Sequence, residues 1–167
     1  MKSCILITGA LGHIGSKLIH SINEGEFEEV RMIDNLSTQR YASLFNLPKG
    51  VNFKFIENDV LKADLTALTK NVDIVIHLAA ITNATSSFQH REKVKQVNYV
   101  GTKRVAEACI KNGISMLFPS TTSVYGSQAA LVDETCPIEE LNPQSPYAEY
   151  KLKSEEMLKR MGNSEGL

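Results

Sequence analysis

The sequence has no excess of either charge, no long apolar run and no cysteine pairing pattern. Its 18 Lys and Arg stand against 19 Asp and Glu, a formal net charge of −1 at pH 7. Basic residues are scattered, and the lysines towards the C-terminus alternate with glutamates, so no face is set aside for nucleic acid or a membrane surface. Nothing approaches the roughly 18 consecutive apolar residues of a spanning helix. The first apolar run, Cys4-Ile5-Leu6-Ile7, is too short for a signal peptide. Cys4, Cys109 and Cys136 are odd in number, far apart and without metal spacing. They read as thiols in a reducing cytoplasm, with no metal site; Cys4 and Cys109 fall within apolar patterns and are expected to be buried. Internal repeats and low-complexity tracts are also missing. What remains is a chain of 167 residues with 43% hydrophobic and 22% charged content, enough for one domain with a real core.

Apolar runs alternate with helical patterns along the whole length. Strands are expected over 3–8, 29–34, Asn52–Glu57, Asp73–Leu78 and Met116–Thr121. Helices are expected over 13–24, Lys62–Thr69, 90–112 and from Ser145-Pro146 to Met161, with a loop or short helix near Tyr41–Phe45. The run Ile74-Val75-Ile76 is nearly all apolar, as in a parallel strand covered on both faces. Gly113 suits a helix C-terminus, and Ser145-Pro146 a helix start. Alternation of this kind predicts an α/β fold: a Rossmann-type, doubly wound parallel sheet flanked by helices on both faces. The stretch 126–146 is long for a connection, which marks it as a binding loop or lid.

The most informative segment is Thr8-Gly9-Ala10-Leu11-Gly12-His13-Ile14-Gly15, placed between the first strand and the first helix. Glycines at such a junction let backbone N–H groups approach a pyrophosphate at the positive end of a helix. The second strand, Val30-Arg31-Met32-Ile33, ends in Asp34. A carboxylate there accepts both hydroxyls of an adenosine ribose and repels a 2′-phosphate, which favours NAD over NADP. Two further segments fall at the carboxyl ends of strands, where such sheets hold their ligands. One is Ser120-Thr121-Thr122-Ser123-Val124-Tyr125-Gly126; the other is Tyr147-Ala148-Glu149-Tyr150-Lys151. Tyr147 and Lys151 are four apart and share a helix face. A phenol with a pKa near 10 is a poor base at pH 7, but a neighbouring ammonium favours the phenolate. Tyr147 would then take a proton from a sugar or alcohol hydroxyl, Lys151 would also hold the nicotinamide ribose, and Thr121 would hydrogen-bond the reacting oxygen. His77 ends an apolar strand with no second metal ligand nearby and reads as a satisfied structural histidine. His20 and His90 read as surface residues, and Tyr125 and Tyr150 as packing or rim residues.

Taken together, these motifs resemble the N-terminal part of an extended short-chain dehydrogenase/reductase, in the NAD-dependent nucleotide-sugar epimerase/dehydratase group. The resemblance covers nearly all 167 residues. It implies that the whole chain, 1–167, is an NAD-binding Rossmann domain. It also implies that the C-terminal substrate domain is absent, the chain being a fragment or a naturally short relative. Thr8–Gly15 matches the family's T-G-x-x-G-x-x-G turn, so the resemblance places Gly9, Gly12, His13, Ile14 and Gly15 at the cofactor, with His13 and Ile14 over the pyrophosphate. Asp34-Asn35-Leu36 resembles the ribose-binding turn. Asp59-Val60 resembles the acid–aliphatic pair after strand three, with Asp59 at the adenine amino group. His77-Leu78-Ala79-Ala80 resembles the segment that runs along the cofactor, and Asn98-Tyr99-Val100-Gly101-Thr102 matches the N-x-x-G-T helix motif. Thr121, Tyr147 and Lys151 match the catalytic Ser/Thr, Tyr and Lys.

The family's 4,6-dehydratases carry Thr-Asp-Glu where this chain has Thr121-Thr122-Ser123, so dehydration is disfavoured. The decarboxylases usually keep a Glu at the position of Ser123, which weakens that reading as well. Hydroxyl-rich segments ending in Val-Tyr-Gly resemble those of the 4-epimerases. The expected activity is epimerisation of a nucleotide-sugar through a transient keto intermediate. A sugar or alcohol dehydrogenase of the same group and a non-catalytic NAD-binding protein stand as alternatives. A homodimer through the helices near 90–112 and 145–161 is implied by the resemblance alone.

Overall fold

The first strand sets the architecture. In the computed structural model, which describes residues 3–127 and 132–165, β1 (Cys4–Thr8) is buried along its whole length. Its side chains alternate between faces, as the pleat requires. Cys4 and Leu6 pack with Val75, Val105 and Cys109 on one face. Ile5 and Ile7 pack with Leu11, Ile19 and Met32 on the other. A strand apolar on both faces must lie inside a sheet covered on both sides. Accordingly β1 pairs in parallel with β2 (Glu29–Asp34) and with β4 (Ile74–His77). β3 (Phe53–Glu57) adds outside β2, and β5 (Ser115–Leu117) outside β4. The sheet order is β3-β2-β1-β4-β5, wholly parallel, so the winding reverses between β1 and β4. The crevice at the carboxyl ends of those two strands is where a sheet of this topology takes ligands.

Helix α1 (His13–Ile19) covers one face. The other face is covered by α2 (Leu65–Leu68), whose Asp64 side chain accepts from the Ala67 N–H, and by a long helix over residues 91–112. That long helix is three pieces in sequence: α4 (Arg91–Val94), a π-helical stretch Lys95–Gly101 and α5 (Thr102–Asn112), stopped by Gly113 in the left-handed conformation. A short α3 (Ala84–Ser87) precedes it, started by Asn83. The last helix, α6 (Pro146–Glu165), packs Met157 and Met161 against Ala106 of α5.

Several expectations shift at their edges; the second helix, expected over Lys62–Thr69, is Leu65–Leu68. The first helix stops at Ile19 rather than near 24, because polar side chains there take over the backbone groups. The Ser21 hydroxyl donates to the Lys17 carbonyl, and the Asn23 N–H donates to the Glu26 carboxylate, with Gly25 at positive φ. The fifth strand ends at Leu117, not Thr121, since Pro119 has no N–H to give a ladder. The last helix runs four residues beyond Met161. Of the expected loop 126–146, residues 128–131 lie outside the described residues; its described residues include a 3₁₀ turn, Ile138–Glu140. Cys4 and Cys109 are buried, and burial pushes the Cys109 thiol up to about 12.

Candidate active site at the carboxyl edge of the sheet

Where β1 ends, the chain turns sharply over the end of β4. Gly9 has φ +65°, and a Cβ on it would stand 2.6 Å from the Ala79 backbone nitrogen. Gly15 is equally constrained, since its Cβ would meet the Ala10 carbonyl oxygen at 2.5 Å. These two glycines let the turn lie flat against β4 and let α1 begin directly on it. Helix α1 starts at Gly12 with no side-chain cap and no acidic residue in its first turn. Its first N–H groups are therefore left for an anion. His13 and Ile14 are exposed at that start, Ile14 at 62%, and Gly15 is buried beneath them.

Beside the turn runs a groove of about 440 Å³. Gly9, Gly12, Asp34, Asn35, Asp59, Val60, Leu78, Ala79 and Ala80 line it, which brings together most of the residues singled out from the sequence. The Asp34 carboxylate, 8% exposed, accepts from the Leu11 N–H (3.0 Å) and the Leu36 N–H (2.8 Å). Each oxygen thus spends one acceptor position on holding the carboxylate in place and keeps another for the groove. The Asn35 amide donates to Asp59 at 2.9 Å and joins the two acidic turns. Leu36 is at positive φ and packs into the apolar cluster under α1.

Asn98 does not line the groove. Its side chain is 1% exposed and spends both ends on one residue: Oδ1 accepts from the Ile81 N–H at 2.8 Å, and Nδ2 donates to the Ile81 carbonyl at 2.9 Å. It fixes the segment after β4, whose Leu78–Ile81 line the groove. Lys93, Gln96 and Val97, which the sequence did not mark as site residues, do line the groove. A helical wheel through Lys93 and Val97 would have marked them as one face.

His77 sits at the centre of a closed polar chain. The Ala79 N–H donates to Thr8 Oγ1, which lies 2.6 Å from His77 Nδ1. His77 Nε2 lies 3.0 Å from Thr102 Oγ1, whose own proton goes to the Asn98 carbonyl. Thr102 therefore accepts from His77, and the ring is the Nε2–H tautomer. Burial, with the nearby Lys151 charge, pulls the imidazole down to about 3. It is a neutral structural group that locks the glycine turn to the long helix.

The reactive side is built by α6 and the segment after β5. Ser145 Oγ accepts from the Ala148 N–H at the start of α6, and the Tyr147 N–H donates to the buried Ser87 of α3 at 3.3 Å. Lys151 is 6% exposed; its Nζ donates to the Pro119 carbonyl at 2.8 Å and stands 4.2 Å from the centre of the Phe118 ring, which stacks on His77. Burial pulls the ammonium down to about 8, partly opposed by Glu155. Thr121 opens a 3₁₀ turn, Thr122–Val124, and its Oγ1 accepts from the Ser123 N–H at 3.2 Å, leaving its proton to donate outward. Thr121 lines a second, wider cleft of about 1000 Å³ with Tyr125, Glu155 and Arg160. Tyr147, half-buried, lies one turn of α6 before Lys151. Tyr150 is buried under Arg91, whose guanidinium carbon is 5.8 Å from the ring centre.

Residues 5–167 match the model of the NAD dependent epimerase/dehydratase family. The chain belongs to that family. Among curated relatives it is 36% identical over 160 residues to the uncharacterised UDP-glucose epimerase YtcB of Bacillus subtilis, covering 92% of this chain and 50% of that protein. Its fold superposes on the UDP-N-acetylglucosamine 4-epimerase of Methanobrevibacter ruminantium, solved with UDP-N-acetylmuramic acid, at a TM-score of 0.88 and 32% identity, covering 100% of this chain and 53% of that one. It superposes equally well, at 0.88 and 29% identity, on the UDP-glucuronic acid 4-epimerase of Bacillus cereus, solved with UDP-glucuronic acid and NAD, covering 98% and 54%. The chain spans about half the length of the relatives it matches. The family is NAD-dependent, and the groove fits that cofactor: an uncapped helix start for the pyrophosphate, a fixed carboxylate for the ribose and an apolar wall at Val60 and Leu78. Among the described residues no cluster of three or more His, Cys, Asp or Glu is placed to hold a metal, and no helix is long and apolar enough to cross a membrane.

Proposed function

We propose that the chain binds NAD and carries the catalytic residues of an epimerase acting on a nucleotide-activated sugar. What supports this reading is the glycine turn and Asp34 at the carboxyl ends of β1 and β2, together with Lys151 of α6 bonded to the Pro119 carbonyl two residues before Thr121 and one helical turn after Tyr147. Asp34 and Asn35 hold the adenosine ribose, Asp59 the adenine edge, and the start of α1, with His13 and Ile14, the pyrophosphate. NAD held there would supply a reversible hydride acceptor for the sugar carbon. The chain's own residues handle the proton. Tyr147 removes it from the sugar hydroxyl and restores it afterwards; Thr121 donates a hydrogen bond to the same oxygen and keeps it within reach of the phenol. The Lys151 ammonium, held by the Pro119 carbonyl and the Phe118 ring, sets a positive charge one helical turn from Tyr147. Its pKa of about 8 keeps it mostly charged at pH 7.

Thr122 and Ser123 favour epimerisation within the family. Neither offers the carboxylate pair that would eliminate water from the sugar. The test is to incubate the complete protein with UDP-glucose and NAD and follow the sugar by proton NMR. Appearance of the C4 epimer without net NADH supports the reading. Accumulation of NADH points to a dehydrogenase, and loss of water to a dehydratase; either outcome overturns it.

A further inference from the structure

Helix α6 holds the segment Phe118–Thr121 at two consecutive turns. Lys151 Nζ donates to the Pro119 carbonyl at 2.8 Å, and four residues later the Glu155 carboxylate accepts the Ser120 hydroxyl proton. Both grips fall immediately before Thr121, on a stretch that has left the sheet at Leu117 and has no ladder of its own. The local bonds beyond it are the weak ones of a 3₁₀ turn: Ser123 N–H to Thr121 Oγ1 at 3.2 Å, Val124 N–H to the Thr121 carbonyl at 3.3 Å, and Tyr125 N–H to the Thr122 carbonyl at 3.2 Å. The segment leading into Thr121 is therefore held by α6 itself, which carries Tyr147, Lys151 and Glu155 at i, i+4 and i+8.

We infer that Glu155 is a positioning residue: through Ser120 it fixes the Thr121 hydroxyl opposite Tyr147, and without it the two drift apart although the cofactor groove stays intact. Glu155 is half-buried at the wall of the wider cleft and faces Lys151 on its own helix and Tyr125 across from it. Its charge also helps keep the neighbouring ammonium protonated, a second consequence of the same placement. Gln at this position keeps an oxygen that accepts from Ser120 and loses only the charge; Ala loses both.

This inference rests on the catalytic roles proposed above for Thr121 and Tyr147, so its test has one arm that needs turnover and one that does not. In the complete protein, E155A and S120A should each lower kcat about 10- to 100-fold, the usual cost of misplacing a reacting group by an ångström, and leave NAD affinity and KM close to wild type. The double variant should be no worse than the poorer single one, because both break one hydrogen bond. E155Q should recover most of the lost kcat. In the second arm, hydrogen exchange followed by mass spectrometry should show faster exchange of the Ser123, Val124 and Tyr125 amides in E155A and S120A, with β1 and β4 unchanged and E155Q near wild type. Additive losses, an unchanged kcat, or exchange that rises throughout the protein would each overturn the inference. If the wild type turns over no nucleotide-sugar, the functional reading fails and the exchange arm alone decides this one. Should E155A fail to fold, S120A, which removes one exposed hydroxyl, and E155Q carry both arms.

Discussion

The cofactor groove and the wider cleft lie on the same edge of one sheet and are made differently. The groove is built from backbone. Its shape comes from Gly9 lying against Ala79, Asn98 gripping Ile81, and an Asp34 carboxylate already pinned by two N–H groups. The cleft is built from side chains on α6 and on a segment beyond the sheet, held by Lys151 and Glu155. A site made of backbone is preorganised by the fold and tolerates few substitutions. A site made of side chains can change its chemistry with little effect on the fold. Within this family, which joins epimerases and dehydratases under one name, the contrast explains how one cofactor domain can serve both reactions.

The contrast predicts which changes stay local. Tyr147→Phe should act on the cleft alone: turnover falls about 10²- to 10⁴-fold, the usual worth of a positioned acid–base group, with NAD affinity unchanged by calorimetry. Equal turnover in this variant would remove Tyr147 from its role. Gly9→Ala should break the groove from within, since the new Cβ meets Ala79 backbone and φ +65° is unfavourable for alanine. A loss of about 2–4 kcal/mol in urea unfolding is expected, together with loss of NAD binding; a stable variant that still binds would contradict the backbone argument. Asp34→Ala leaves the Leu11 and Leu36 N–H groups without their acceptor and removes the proposed ribose contact. NAD affinity should fall about 10- to 100-fold, and the preference over NADP should narrow.

The smallest effect tests the residue between the two regions. His77 is held neutral, with a pKa near 3 against 6.5 when free. Between those values the unfolded chain binds a proton that the folded one refuses, so stability is full above pH 6.5 and declines as the pH falls towards 3. The slope from this group is at most about 1.4 kcal/mol per pH unit. His77→Asn should flatten the profile by that amount; an unchanged slope would mean the ring takes up its proton in the folded state.

Much of the groove was legible in the sequence because it depends on residues that are rare for a physical reason. Gly9 and Gly15 stand where no side chain fits, and Asp34 ends an otherwise apolar strand. The parallel sheet was legible in the alternation of its apolar runs. Elements shaped by non-local or backbone partners were not. The fifth strand stops short of Phe118–Thr121, where Pro119 brings no N–H to a ladder. The π-helical stretch Lys95–Gly101 has no composition of its own, yet it turns Asn98 towards Ile81 and away from the groove. The partner of Lys151 is a carbonyl, and every residue has one, so no pattern of side chains marks Pro119 as the acceptor.

The most direct measurement is isothermal titration of the protein with NAD and then with NADP at neutral pH. A groove closed at its ribose end by a fixed Asp34 carboxylate should bind NAD and bind NADP at least about tenfold more weakly, the cost of setting a 2′-phosphate against a buried like charge. Equal or tighter binding of NADP, or no binding of either by folded protein, would contradict the assignment of this groove to NAD.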